Sequence, residues 1–368
     1  MNTSKIAIII SVSLIFSVGL LMVFNTTSAE VLDKSLNVST HSALLKQIIY
    51  SICGVGIGIG VYFFGYNNII RLSPLFLLLC TIGLIAVFIP YIGCEINGAK
   101  RWIGLFGYTI QPSEFAKYLI PIYFIYHFSN KKHPKSFKDF IKFLSIFIVP
   151  ILLILLEPDN GTAAIILTTL VVMFFLCRIK LTYWALPLFL MTVFGSIAAY
   201  QMPHVPNRIR VYLHPELDIR GKGHQPYQAK IAAGSGGVFG RGLGESMQKL
   251  NYLPEARSDY IAAIYAEEFG FIGMLAMIGA YLFICFGGFY IAVNAKDKEG
   301  FYLSIILTFL ITFQAFLNLG VVSGLLPSKG IALPFFSQGG TSLIVNIVAI
   351  FLILNVASTV KVRKKARI

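Results

Sequence analysis

Four stretches of this chain place polar and ionisable side chains where an apolar segment begins or ends. In KLNYLPEARSDYIAAIYAEEFGFIG, residues 249–273, a polar segment carrying Lys249 and Arg257 runs into an apolar helix that opens with Asp259 and carries Glu267 and Glu268. A carboxylate at such a boundary can take the proton from a hydroxyl and make it a nucleophile. It can also simply cap the helix, because the positive end of the helix dipole favours an acid. Glu267 and Glu268 are adjacent, so they cannot share one helix face. The preceding GSGGVFGRGLGES has the backbone freedom for close approach, but not the GxxxxGK[ST] order of a nucleotide loop. In NGAKRWIGLFGYTIQPSEFAKYL, residues 97–119, Pro112 suits a first helical turn. Glu114 and Lys117 then lie three apart on one face, close enough to pair. Lys117 is either half of a structural ion pair or a cation that also meets an anionic ligand. EPDNGT (157–162) reads as a tight turn in which Asp159 caps the next helix. SGLLPSKGIALPFFSQGGTSL (323–343) reads as an ordered loop or half-helix before the last apolar run.

The elements that must position these groups are membrane helices. The chain is 57% hydrophobic and only 12% charged, against about a quarter charged in soluble domains. Apolar runs recur near 6–24, 45–64, 72–92, 113–128, 140–156, 161–177, 181–200, 269–293, 301–320 and 341–360. Each is close to the ~20 residues that a helix needs to cross ~30 Å of hydrocarbon. The expected fold class is an all-α integral membrane protein of about ten transmembrane helices. It forms a single polytopic domain over residues 1–368, with a large extracytoplasmic loop at 201–257 between helices seven and eight. Apolar pieces of that loop, such as AKIAAGSGGVFG, suit a segment that dips back into the membrane. The first run has nineteen uncharged residues, beyond the ~7–15 of a signal-peptide core, and reads as an uncleaved helix.

Sidedness follows from Lys and Arg. Lys131, Lys132, Lys135, Lys138 and Lys142, the pairs Arg178/Lys180 and Lys296/Lys298, and the tail KVRKKARI fall on one side. That side, with both termini, is cytoplasmic by the positive-inside rule. The four chemistry-bearing stretches then lie outside. The net charge of +14 largely reflects this fringe, which would meet anionic lipid headgroups. No nucleic-acid motif accompanies it. The five cysteines are scattered, without a CxxC, so neither a disulfide framework nor a metal centre is indicated.

Taken in order, GAKRW, QPSEFAK, EPDNGTA, GSGGVFGRGLGESMQKLNYLPEARSDY, AEEFGFIG and LPSKGIALPFFSQGGTSL closely resemble the SEDS family, which includes FtsW, RodA and SpoVE. The resemblance runs from residue 97 to the C-terminus; before that only hydropathy matches. YLPEA and LPSKG resemble the division-type member, FtsW, more than the elongation-type RodA. Two positions depart from the family pattern. Arg257-Ser258-Asp259-Tyr260 stands where the family has HTDF, keeping the acid without the histidine. Gln338 stands where the family has tyrosine in SYGG.

The resemblance implies ten membrane helices with both termini inside. It also implies a peptidoglycan glycosyltransferase that polymerises lipid II at the outer face of the bacterial cytoplasmic membrane, here in septal synthesis during cell division. Joining a sugar hydroxyl to an anomeric carbon that bears undecaprenyl pyrophosphate needs a base for the hydroxyl. It also needs cations or N–H donors for the leaving group. Asp259 is expected as the general base. Lys117 and Arg101 are expected at the pyrophosphate, with Lys249 a weaker choice, and Glu114 would hold Lys117 charged and oriented. A divalent cation, Mg²⁺ or Mn²⁺, shared with the substrate phosphates is compatible with the lack of a self-sufficient metal cage. The expected partners are lipid II, membrane lipids, other divisome proteins and a single-pass class B penicillin-binding protein. That protein would supply the transpeptidase whose SxxK, SDN and KTG motifs this chain lacks. The competing readings are a lipid II flippase or transporter, an elongation-type RodA-like polymerase, and a non-catalytic divisome scaffold. A flippase should carry charges along a path through the bilayer midplane.

Overall fold

The computed structural model describes residues 2–33, 40–96, 98–105, 107–130, 134, 136–200, 212–214, 218, 223–250, 253, 256–327 and 330–360. The basic tail and much of the 201–257 loop lie outside the described residues. Long helices stand at all of the apolar runs. They are α1 (Asn2–Asp33), α2 (Ser42–Phe64), α3 (Tyr66–Ala86), α4 (Pro112–Asn130), α5 (Phe137–Leu156), α6 (Asn160–Leu176) and α7 (Leu181–Tyr200), then α9 (Ile261–Val293), α10 (Lys298–Val322) and α11 (Gly340–Thr359). The short α8 (His224–Ser235) lies in the 201–257 segment. Seven of them, α1, α2, α3, α5, α9, α10 and α11, are long and apolar enough to cross a bilayer. α6 and the start of α7 are apolar but shorter, and α4 carries Glu114, Lys117 and His127. The chain is a multi-pass, predominantly α-helical membrane protein.

One small element breaks the all-helical pattern. Strands β1 (Gly93–Ile96), β2 (Ala99–Leu105) and β3 (Tyr108–Ile110) form an antiparallel sheet in the order β1-β2-β3. Ile96 pairs with Ala99 and Leu105 with Tyr108, so each connection is two residues long. Gly98 and Gly107 supply the positive φ such turns require, at +73° and +82°. The sheet carries Arg101 and leads directly into α4.

Inside a bilayer, apolar side chains gain little by leaving lipid for another helix, so close backbone approach drives packing. α2 shows this on one face only. A Cβ at Gly58 would lie 2.3 Å from the Phe351 ring of α11, and one at Gly54 would lie 3.2 Å from the Ile344 Cα. Gly56 and Gly60, on the opposite face, have nothing within 4 Å.

α9 is interrupted at Gly270 (φ 66°, ψ −164°). A strap at residues 237–242 takes up the peptide groups that the break releases. The N–H groups of Arg241 and Gly242 donate to the carbonyls of Glu267 and Glu268, each at 3.0 Å. The N–H groups of Phe271 and Ile272 donate to Gly237 and Val238 at 3.0 and 3.2 Å. Non-helical backbone at membrane depth is tolerated only where protein satisfies it in this way. The approach is so close that a Cβ at Gly270 would lie 2.3 Å from the Gly240 nitrogen.

Candidate active site

Pro112 opens α4, and Glu114 and Lys117 follow on one face. Lys117 is buried; its Nζ donates to Glu114 Oε2 at 2.6 Å and to Gln314 Oε1 on α10 at 2.9 Å. Gln314 is held in turn, since its Nε2 donates to Leu310 O at 3.2 Å and to the Tyr118 hydroxyl at 3.4 Å. That hydroxyl donates to Asn346 Oδ1 on α11. An ammonium has three protons. Two of those on Lys117 are taken among the described residues, which leaves one there to offer a ligand.

Asp259 stands in the turn just before α9 and is half-buried. Asn318 of α10 donates through Nδ2 to the Asp259 carbonyl at 2.8 Å and to the Ile331 carbonyl at 2.7 Å. Gly330, beside Ile331, lies against the Asp259 carboxylate: a Cβ there would be 3.0 Å from Oδ2. On its other side the 330–331 loop meets Gly161 at the start of α6. Asp159 caps α6 by accepting from the Thr162 N–H at 3.2 Å. The other oxygen of Asp159 accepts from Gln111 Nε2 and Ser113 Oγ, each at 3.2 Å, at the start of α4. Asp259, the 330 loop, Asp159 and the first turn of α4 thus form one continuous cluster at one end of the bundle.

Arg101 braces that cluster from the sheet. Its Nε donates to the Glu157 carbonyl at 3.0 Å and its Nη2 to the Pro158 carbonyl at 2.8 Å. The Glu157 side chain is fully buried, and neither carboxylate oxygen has a hydrogen-bond partner among the described residues. Burial pushes its acid up to about 8; the nearby Asp159 charge adds to the rise and Arg101 opposes it. At neutral pH Glu157 is therefore mostly uncharged.

Lys249 belongs elsewhere. Its Nζ donates to Asn25 Oδ1 at 2.8 Å, to the Gly244 carbonyl at 2.6 Å and to Glu268 Oε1 at 2.9 Å. These three acceptors match the three protons of its ammonium. Glu268 also accepts from Asn25 Nδ2 of α1 at 2.8 and 2.7 Å. Glu267 accepts from the Ser246 hydroxyl, from the Met247 and Gln248 N–H groups at 3.2 and 3.3 Å, and faces Arg241 at 3.4 Å. These two acids clamp the 241–249 loop onto α9 and α1. The residues that sequence reasoning missed are Gln314 and Asn318. Their signal was two amides four apart in an otherwise apolar helix.

This arrangement defines a class of protein: a multi-pass helical membrane protein with a buried ammonium and a half-buried carboxylate gathered at one end of its bundle. The chain belongs to the FtsW/RodA/SpoVE family of cell cycle proteins, whose model matches residues 5–362. The "Probable peptidoglycan glycosyltransferase FtsW" of Trichlorobacter lovleyi is 33% identical over 97% of this chain and 93% of that protein. The "Stage V sporulation protein E" of Bacillus subtilis is 35% identical over 97% of this chain and 99% of its own length. The Rod shape determining protein RodA of Thermus thermophilus shares the fold with a TM-score of 0.69 at 22% identity, covering 96% of this chain and 97% of that one. A chain from a peptidoglycan synthase complex, studied for its coordination of polymerization and crosslinking, shares it at a TM-score of 0.78, 22% identity and the same coverage, 96% and 97%.

Proposed function

We propose that the chain is a peptidoglycan glycosyltransferase that polymerises lipid II in septal wall synthesis, working at the outer face of the cytoplasmic membrane. One observation carries the choice over a flippase. The buried charged residues among those described are Lys117, Glu157, Asp159, Lys249, Glu267 and Glu268. All lie in the turns that precede α6 and α9 or in the first eight residues of α4 or α9, at the end where these helices begin. A transporter would carry such groups through the midplane, whereas a polymerase of membrane-anchored sugars needs them at one face.

In this reading Asp259 takes the proton from the acceptor sugar hydroxyl as its oxygen attacks the anomeric carbon of the donor. The bond from that carbon to the pyrophosphate breaks, and the electron pair leaves with the phosphate oxygen. The remaining proton of Lys117 and the N–H groups of Arg101 not bound to the 157–158 turn meet the developing charge. Glu114, 2.6 Å from Lys117 Nζ, aims it. A divalent cation arriving on the substrate phosphates would take only part of its ligands from the protein: among the described residues no three His, Cys, Asp or Glu converge. A class B penicillin-binding protein completes the machine by supplying the transpeptidase. The basic fringe favours cytoplasmic termini.

Purified protein with its partner and labelled lipid II tests the reading. Glycan polymer is expected from the parent chain, and a fall of roughly 10²–10⁴-fold from Asp259→Asn, with folding and lipid II binding retained. Tyr260, not Asp259, is the N-cap of α9, and no side chain caps it; asparagine keeps the size and most of the hydrogen bonding of Asp259, so near-normal polymer from that variant would remove Asp259 as the base. Lipid II translocation without polymer would favour the flippase, and neither activity would favour a scaffold.

A further inference from the structure

Lys117 and Asp259 come from different parts of the chain, yet both are tied to one face of α10. Gln314 and Asn318 are each 1% exposed. Being four residues apart, they stand ~6 Å apart along the helix axis. Gln314 Oε1 accepts from Lys117 Nζ at 2.9 Å. Asn318 Nδ2 donates to the carbonyls of Asp259 and Ile331 at 2.8 and 2.7 Å. We propose that these amides are positioning residues and that α10 is the ruler that sets the spacing between Lys117 and Asp259. Through it they set the spacing between the pyrophosphate and the attacking hydroxyl. This rests on Asp259 as base and Lys117 as pyrophosphate ligand.

The chemistry of each amide fits the task. Asn318 faces two acceptors at once, which calls for an NH₂ group; neither a carboxylate nor an aliphatic side chain can replace it. By holding Ile331 it also holds Gly330 against the Asp259 carboxylate, and so limits where that carboxylate can point. Its Oδ1 has no partner among the described residues, a desolvation cost that a side chain used only for packing would not carry. Gln314 does the converse. It presents an oxygen to the ammonium, while its own NH₂ is anchored to α10 and Tyr118.

The test is steady-state lipid II polymerisation by the full chain with its partner, run on Asn318→Leu, Asn318→Gln, Gln314→Leu, Asp259→Asn and the double variant Asn318→Leu/Asp259→Asn. Asn318→Leu should lower kcat by roughly 10–10²-fold with KM nearly unchanged, since misplacing a base by about 1 Å costs that much. Asn318→Gln keeps the amide and the fold but shifts the tether by one methylene, and should lower kcat in the same way. Gln314→Leu should raise KM more than it lowers kcat. In the Asp259→Asn background, Asn318→Leu should cost nothing further, because its effect passes through Asp259. A multiplicative loss in the double variant, or parental kcat in both Asn318 variants, overturns the ruler while leaving the base in place. Near-normal activity of Asp259→Asn alone would instead overturn the base.

Discussion

Glu157 should make this protein lose stability as the pH rises, and Glu157→Gln should remove that loss. The carboxyl is raised from 4.5 to about 8 chiefly because it is buried, and its oxygens have no partner among the described residues. The folded state therefore binds the proton more tightly than the unfolded chain does. The resulting stabilisation is complete below pH 4.5 and is lost as the pH climbs through 8. At 1.36 kcal/mol per unit, the two pKa values give a loss of about 2–3 kcal/mol between pH 6 and pH 9. In thermal melts in detergent this is roughly 2–6 °C. Glutamine keeps the shape of the neutral acid and has no proton to lose, so the variant should match the parent at pH 6 and exceed it at pH 9. An unchanged pH slope in Glu157→Gln would show that the charge is accommodated, and the reading of Glu157 as a neutral acid would fall.

Three further outcomes can be checked. Lys249→Met leaves Glu268 buried without its ammonium and should destabilise the fold by about 3–5 kcal/mol. The double change Lys249→Met with Glu268→Gln should recover most of that in the same melts. Gly330→Ala puts a Cβ 3.0 Å from Asp259 Oδ2, so polymerisation should drop by roughly 10-fold while the melting temperature holds; parental activity would show that the carboxylate has room to move. After removal of the native cysteines, a cysteine at Lys222 should be labelled from outside intact cells, and one at Lys365 only after the cells are broken; the reverse pattern would invert the sidedness.

The helices were legible because the physics behind them is coarse. Length and hydropathy alone set a span, and the structure has a long helix at each run. The sheet at 93–110 was not, although Gly98 and Gly107 sit where its tight turns fall. Its strands are too short for alternation to stand out beside an apolar run. Within the site, the Glu114–Lys117 pair and the Asp159 cap could be read from spacing, because both interactions are local. The contacts of Lys249 could not be read in the same way. Its acceptors come from Asn25, Gly244 and Glu268, and no local pattern joins residues that far apart. Gln314 and Asn318 escaped because a search for charges in apolar helices passes over neutral amides.

The break in α9 has a consequence for how the molecule is made. A membrane helix normally leaves the insertion machinery with its peptide groups already paired within itself. α9 does not: four of its groups, at residues 267, 268, 271 and 272, are paired with the strap at 237–242. Each such group left bare in lipid costs several kcal/mol. Synthesis delivers the strap first, and the pairing of α9 is complete only once the strap is folded back against it. A chain whose 237–242 segment is cut out or held on the wrong side would not merely lack a loop. It would present the bilayer with a helix missing its rungs, and quality control would meet that defect before any substrate did.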